Sequence, residues 1–176
     1  KEVIASLSNT VEVYILTGDN KEVALQTADE LNIDVNNVFY EIKPEDKLSI
    51  IEKLSKDNKV AFVGDGINDA PALVTADVGM AIGAGTDIAI ESADIVLMNS
   101  SLTGVAKAIE LSKATIRNIK ENLFWAFFYN SLGIPIAAGV LFIPFGLQLS
   151  PMLGAAAMSL SSFFVVSNAL RLRFFQ

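Results

Sequence analysis

The chain has 176 residues, enough for one modest domain, and 52% of them are hydrophobic, high for a wholly soluble protein. It has no Cys and no His, which excludes disulfides, Cys/His zinc sites, cysteine nucleophiles and Ser-His triads within it. Charge is uneven: residues 1–100 hold 7 Lys/Arg and 18 Asp/Glu, residues 101–176 hold 6 and 2, and no charged side chain falls between Leu123 and Leu170. The acidic balance argues against nucleic acid as a partner, and the charge-free run implies an acidic soluble part joined to a membrane part.

Lys1–Thr10 has no n-region followed by an apolar core, so it does not read as a signal peptide. It is expected to be the interior of a larger protein. Val11–Thr17 is rich in β-formers and ends in the turn Gly18-Asp19-Asn20. Asp19 and Glu22 are spaced as a capping box for a helix over Asn20–Leu31. Val38–Ile42 reads as a short strand, and Pro44 suits the first turn of a helix with Leu48, Ile51 and Leu54 on one face. Lys59–Val63 is a strand running into Gly64-Asp65-Gly66, and Val78–Ile82 and Ile95–Met98 are two more. Strands alternating with helices predict a parallel Rossmann-like α/β sheet with flanking helices, and ligands gather at the carboxyl ends of such strands. Thr17 and Asp65 fall at those ends.

Leu102–Leu123 is a long helical pattern carrying Lys107, Lys113, Arg117 and Lys120. It leads into Leu123–Ile143, an apolar run long enough to cross a hydrocarbon core of about 30 Å. Pro144–Pro151 is an uncharged turn, Met152–Leu170 a second apolar run, and Arg171 and Arg173 follow. Basic flanks on the soluble side make that side cytoplasmic, so the sequence predicts a two-span transmembrane hairpin.

Three motifs carry chemistry: Thr17-Gly-Asp-Asn20, Lys43-Pro-Glu-Asp-Lys47 and Val63-Gly-Asp-Gly-Ile-Asn-Asp-Ala-Pro-Ala-Leu73. Alone, the first is an ordinary strand-to-helix turn and Lys47 a solvated helix lysine. Together they supply what phosphoryl transfer needs. The Thr17 hydroxyl and the Gly18 backbone can donate to phosphoryl oxygens, and Lys47 is a point charge suited to an anionic group. Asp65 is the hard oxygen ligand that Mg²⁺ prefers. Asn68 can bond a phosphoryl oxygen, and Asp69 can pair with Lys47 and hold it.

In the apolar runs there is no Asp, Glu or Lys, so ions that need carboxylates lack ligands there. The runs offer Tyr129-Asn130 and Met158-Ser-Leu-Ser-Ser162. Met158 and Ser162 are four apart on one helix face, and a thioether is soft and favours Cu(I). Gly133 and Pro135 predict a locally loosened helix, common near ion paths.

The order of the three motifs, followed by Ala76-Asp-Val-Gly-Met-Ala-Ile-Gly83 and Gly85-Thr-Asp87, resembles the phosphorylation domain of P-type ATPases, a branch of the haloacid-dehalogenase superfamily. The Tyr-Asn and Met-x-x-Ser-Ser pattern and the tail Asn168-Ala-Leu-Arg-Leu-Arg173 resemble the copper(I) class of the heavy-metal pumps. The resemblance implies catalytic roles for Thr17, Gly18, Asp19, Lys47, Asn68 and Asp69, with Mg²⁺ at Asp65 and Asp69. It implies a transported Cu⁺ at Tyr129, Asn130, Met158 and Ser162. Zinc, cadmium and lead pumps of this resemblance carry a Lys and an Asp in these two helices, and neither occurs here.

The family's nucleophilic Asp-Lys-Thr-Gly-Thr string is absent, as is the ATP-binding domain between it and Thr17. The chain is therefore expected to be the C-terminal piece of a longer pump. Its expected parts are half of a phosphorylation domain (1–100), a stalk helix (101–122), spans at 123–143 and 152–170 around a turn (144–151), and a cytosolic tail (171–176). ATP, the remainder of the pump, membrane lipid and a copper chaperone are the implied partners, in a multi-pass protein of a bacterial plasma membrane with the soluble part cytoplasmic. The alternatives are a pump for silver or another transition-metal ion, and an inactive regulatory membrane fragment.

Overall fold

The computed structural model describes residues 1–64, 67–83, 87–99, 101–146 and 150–174. The chain divides into two compact units, Lys1–Ala108 and Ile109–Gln176.

The first unit is built from parallel strands and short helices. Helix α1 (Glu2–Ser8) buries Ile4 and Leu7, which the helical period places on one face. Strand β1 (Ile15–Leu16) pairs in parallel with β2 (Val38–Phe39) in the register Ile15↔Val38, Leu16↔Phe39. Between them α2 (Lys21–Leu31) buries Ala24 and Ala28, one turn apart. Ile4, Ala24, Ala28, Ile33 and Val38 form one core cluster, so α1 and α2 pack on the same small sheet.

The capping residue of α2 is Asn20 and not Asp19: the Asn20 side chain accepts from the Val23 N–H over 3.0 Å. Both strands are shorter than the sequence suggests. Glu41, in the stretch expected to be strand, takes the left-handed conformation (φ 53), which no strand accommodates.

Helix α3 (Pro44–Leu54) begins with Pro at its first turn, and the Asp46 carboxylate accepts the Lys43 N–H over 3.1 Å. Strands β3 (Ala61–Gly64), β4 (Val78–Ile82) and β5 (Ile95–Leu97) form a second parallel sheet in the order β3-β4-β5. The helices α4 (Ala70–Thr75) and α5 (Asp87–Ser92) lie in the connections between them. Ile51, Ala72 and Ala76 make a second cluster that Leu16, Val60 and Phe62 pack against. This core brings β1, α3, α4 and β3 together and sets the loops after β1 and β3 beside one body. At Gly79 an added Cβ would lie 2.4 Å from the Leu73 carbonyl oxygen, so β4 and α4 approach as closely as a glycine permits.

In the second unit, α6 (Thr103–Ala137, 35 residues) continues from the first, followed by α7 (Phe142–Phe145) and α8 (Pro151–Leu170). The apolar run 123–143 is not a single helix. Gly139 adopts φ 90, its N–H donates to Ile136 O (3.1 Å), and the Val140 N–H donates to Pro135 O (3.1 Å). That pair of hydrogen bonds around a left-handed glycine is a Schellman cap, and it ends α6 at Ala137. The apolar stretch of α6 from Leu123 therefore rises about 22 Å. One described stretch, Gly154–Phe174, is long and apolar enough to cross a membrane by length and composition. On α6, Phe124, Trp125, Phe128 and Tyr129 pack ring against ring, Phe124 stacked on Phe128 and Trp125 edge-on to both.

Two outcomes are expected. Gly79→Ala should destabilise the fold by roughly 1–3 kcal/mol through overpacking, and an unchanged urea midpoint would contradict the close approach. The exposed Asp77 carboxyl is held below its ordinary range, first by its bond with the Lys59 ammonium (2.6 Å) and then by the Val60 N–H (3.0 Å). A lowered folded-state pKa stabilises above the unfolded value and ceases to do so as pH falls through the folded one. The stability gap between the wild type and Asp77→Asn should therefore be constant above about pH 5 and close below about pH 4 in thermal unfolding.

Candidate functional site

Each candidate residue in the first unit sits where a strand ends or a helix begins. Thr17 follows β1 directly, and its N–H donates to Phe39 O over 2.9 Å, continuing the ladder by one bond. Its hydroxyl donates to Asp19 Oδ2 (2.8 Å), and the Asp19 N–H donates back to Thr17 Oγ1 (3.1 Å). Asp19 therefore holds the Thr17 hydroxyl in a tight turn. A Cβ on Gly18 would meet only Ile42 O, at an ordinary 3.5 Å, so crowding does not demand glycine here. Loop 40–43 is pinned to this turn: the Glu41 N–H donates to Asp19 O (2.8 Å) and the Ile42 N–H to Thr17 O (3.2 Å).

That loop enters α3, which carries Lys47 in its first turn. The Lys47 ammonium donates to Asp69 Oδ1 over 2.6 Å, with side-chain exposures of 17% and 12%. Asp69 stands at the N-cap of α4, yet its side chain makes no cap bond and is spent on Lys47. The carboxylate also lies against Gly64, where a Cβ would sit 2.8 Å from Asp69 Cβ and 2.9 Å from Oδ2. Gly64 is thus obligatory for space. Asn68 is exposed on the 3-10 turn Ile67–Asp69. Asp65, the expected Mg²⁺ ligand, lies outside the described residues, as do Gly85 and Thr86.

The structure thus brings together Lys47 and Asp69, and ties the Thr17 turn by backbone bonds to the loop that starts the Lys47 helix. Among the described residues no three carboxylates gather as a metal cluster. In the second unit the four expected transport residues are not joined by hydrogen bonds. The Asn130 amide donates to Ala126 O (2.9 Å) and the Ser162 hydroxyl to Met158 O (3.2 Å), each on its own helix. Met158 is 75% exposed. Tyr129 lines a cavity of about 540 Å³ together with Ser161, Trp125 and Phe164.

The chain is similar to known proteins. The haloacid dehalogenase-like hydrolase family matches residues 1–77. Over 164 residues the chain is 60% identical to Copper-transporting ATPase 2 of Rhizobium meliloti, covering 93% of this chain and 20% of that protein. It is 57% identical to the Copper-exporting P-type ATPase of Vibrio cholerae, covering 93% and 18%. The crystal structure of a zinc-transporting PIB-type ATPase in the E2.Pi state superposes with a TM-score of 0.82 at 36% identity, over 97% of this chain and 27% of that one. Over nearly its whole length the chain is similar to P-type ATPases. It spans about a fifth of the length of the curated relatives it matches.

Two features of the chain have little or no signal in the sequence. The left-handed Glu41 that seats loop 40–43 on the Thr17 turn has no signal, because Glu is not a residue that announces this conformation. An amide cluster at Asn118, Asn122 and Asn168 was signalled by the i, i+4 spacing of the first two beside a charge-free run. The Lys47–Asp69 pair is expected to contribute measurably to folding. Asp69→Asn should cost roughly 1.5–3 kcal/mol in urea unfolding, the range for hydrogen bonds to charged groups. No loss of stability would contradict the pairing.

Proposed function

We propose that this chain works as part of an ATP-driven pump that moves copper(I) across a membrane through an aspartyl-phosphate intermediate. The observation that carries the reading is the mostly buried Lys47–Asp69 pair near the end of β3, with the Thr17 turn backbone-bonded to the loop that leads into the Lys47 helix. Lys47 places a cation where an anionic phosphoryl group can be neutralised, and Asp69 keeps the flexible side chain from sampling solvent. Thr17 donates its hydroxyl to a phosphoryl oxygen, exchanging its bond to Asp19 for the new one. Gly18 offers its N–H, and Asn68 a second amide donor. The phosphorylated aspartate is not in this chain, which has no Asp-Lys-Thr-Gly-Thr string.

Magnesium suits the donors present. The Asp69 carboxylate, a hard oxygen donor, lies against Gly64 at the end of β3, and Asp65 follows Gly64 in the sequence. Asp65, with Asp69, would hold the ion. Once bound, it would supply the positive charge that offsets the phosphoryl oxygens.

In the second unit the transported ion is assigned to Tyr129, Asn130, Met158 and Ser162. Copper is favoured by the sulfur of Met158, by the absence of any carboxylate from Leu123 to Leu170, and by the copper-transporting relatives. The zinc reading suggested by the superposed pump lacks a charged intramembrane ligand in this stretch. Residues 1–100 then serve as half of the phosphorylation domain, 101–122 as the stalk and the two apolar runs as membrane helices. The soluble part faces the cytoplasm of a bacterial plasma membrane. The rest of the pump, lipid and a copper chaperone are the partners.

In the complete pump, Asp65→Asn should abolish phosphorylation by ATP, and wild-type phosphoenzyme levels would refute the assignment. Met158→Leu should raise the Cu(I) concentration for half-maximal ATPase activity roughly ten-fold or more. An unchanged copper response would remove Met158 from the transport site.

A further inference from the structure

The two long helices of the second unit meet through amides. Asn118 on α6 is buried (8% exposed) and donates to the Asn168 backbone carbonyl on α8 over 2.8 Å. The Asn168 amide nitrogen donates to Asn122 Oδ1 (2.9 Å) and reaches Glu121 Oε2 (3.4 Å), while its Oδ1 accepts from the Arg171 guanidinium (3.1 Å). Asn122 in turn donates to Asn118 Oδ1 (3.1 Å). Asn168 thus uses both its donor and its acceptor. Leu can replace neither, and Asp lacks the donor.

We infer that Asn168 is a positioning residue that fixes the register of α8 against α6, and so sets the heights at which Tyr129 and Met158 are presented to the transported ion. The inference rests on the copper reading above. The other side-chain hydrogen bonds described on α8, from Ser159 and Ser162, run to its own backbone and carry no register. Apolar contact between helices in lipid does not select one register sharply, because tails and side chains are alike in polarity, whereas a donor–acceptor node does. From Asn122 to Tyr129 and from Asn168 to Ser161 each helix rises about 10.5 Å. Tyr129 and Ser161 line the same cavity, whose other end is bounded by Asn122, Asn168 and Arg171. A slip of one turn would move α8 by about 5.4 Å, more than twice a metal–ligand bond. The node also accounts for the Asn168 tail motif, which the phosphate and copper sites leave unused.

The test uses the complete pump with Asn168→Leu, and with Asn122→Leu as a milder variant that removes one arm. Register is read without copper, by the rate at which a short bismaleimide joins cysteines introduced at Ala126 and Val165, two residues that line the cavity from opposite helices. Cross-linking should fall several-fold in both variants. The apparent KM for Cu(I) in the ATPase assay should rise roughly ten-fold. Phosphorylation by inorganic phosphate should stay at the wild-type level, which a general folding defect would not spare. If Asn168→Leu loses that phosphorylation, Asn122→Leu decides. Unchanged cross-linking, or an unchanged copper KM in a variant that still takes phosphate, overturns the proposal. If the wild-type pump is not stimulated by Cu(I), the copper reading falls, and the cross-linking rate still judges the register.

Discussion

An ammonium and a carboxylate that are mostly withdrawn from water hold the first unit's chemistry in place. Neither Lys47 nor Asp69 could stay so far from solvent unpaired, since an isolated charge there would cost several kcal/mol or neutralise. Their contact joins the first turn of α3 to the connection between β3 and α4. Several local choices serve it. Gly64 leaves room for the carboxylate, Pro44 and Asp46 start the helix where Lys47 needs to be, and the cap of α4 does without the Asp69 side chain. The Thr17 turn is bound to the same assembly through Glu41 and Ile42, and at Glu41 a strained backbone is tolerated because two flanking hydrogen bonds hold it.

The second unit works under the opposite condition. It has no charge over most of its length, so its directional contacts come from amides flanked by Glu121 and Arg171 at one end and from helix caps at the other. The Schellman cap at Gly139 ends α6 within the apolar run, and the Asn118–Asn122–Asn168 node joins α6 to α8 near Arg171. Where hydrophobic burial cannot distinguish one helix register from another, a few hydrogen bonds carry more of the specificity than they do in water.

Much of this was legible from residue order. Strands β4 and β5 were placed within a residue because short apolar runs between turn signals leave few alternatives. Asp69 was expected as a partner able to hold Lys47, and the structure pairs the two. The edges of β1 and β2 were not legible. Val11–Thr17 has the composition of a strand, but only Ile15 and Leu16 pair in register, Thr17 adding one bond to Phe39, and Glu41 breaks the second run by backbone conformation alone. Asp19 and Asn20 are both good caps, and only the bond to Val23 separates them. The amide node was signalled only by the i, i+4 spacing of Asn118 and Asn122. Asparagine on a helix reads as a polar face until a second helix, some 50 residues away, supplies its partner.

The central claim is that Lys47 and Asp69 act as one device on a phosphoryl group. Orthovanadate, which adopts the five-coordinate geometry of phosphoryl transfer, reads this directly as the concentration that halves ATPase activity in the complete pump. If the claim holds, Lys47→Gln and Asp69→Asn each raise that concentration, and the double variant raises it no further than Lys47→Gln alone. Additive effects, or an Asp69→Asn pump that vanadate inhibits as well as the wild type, would contradict it.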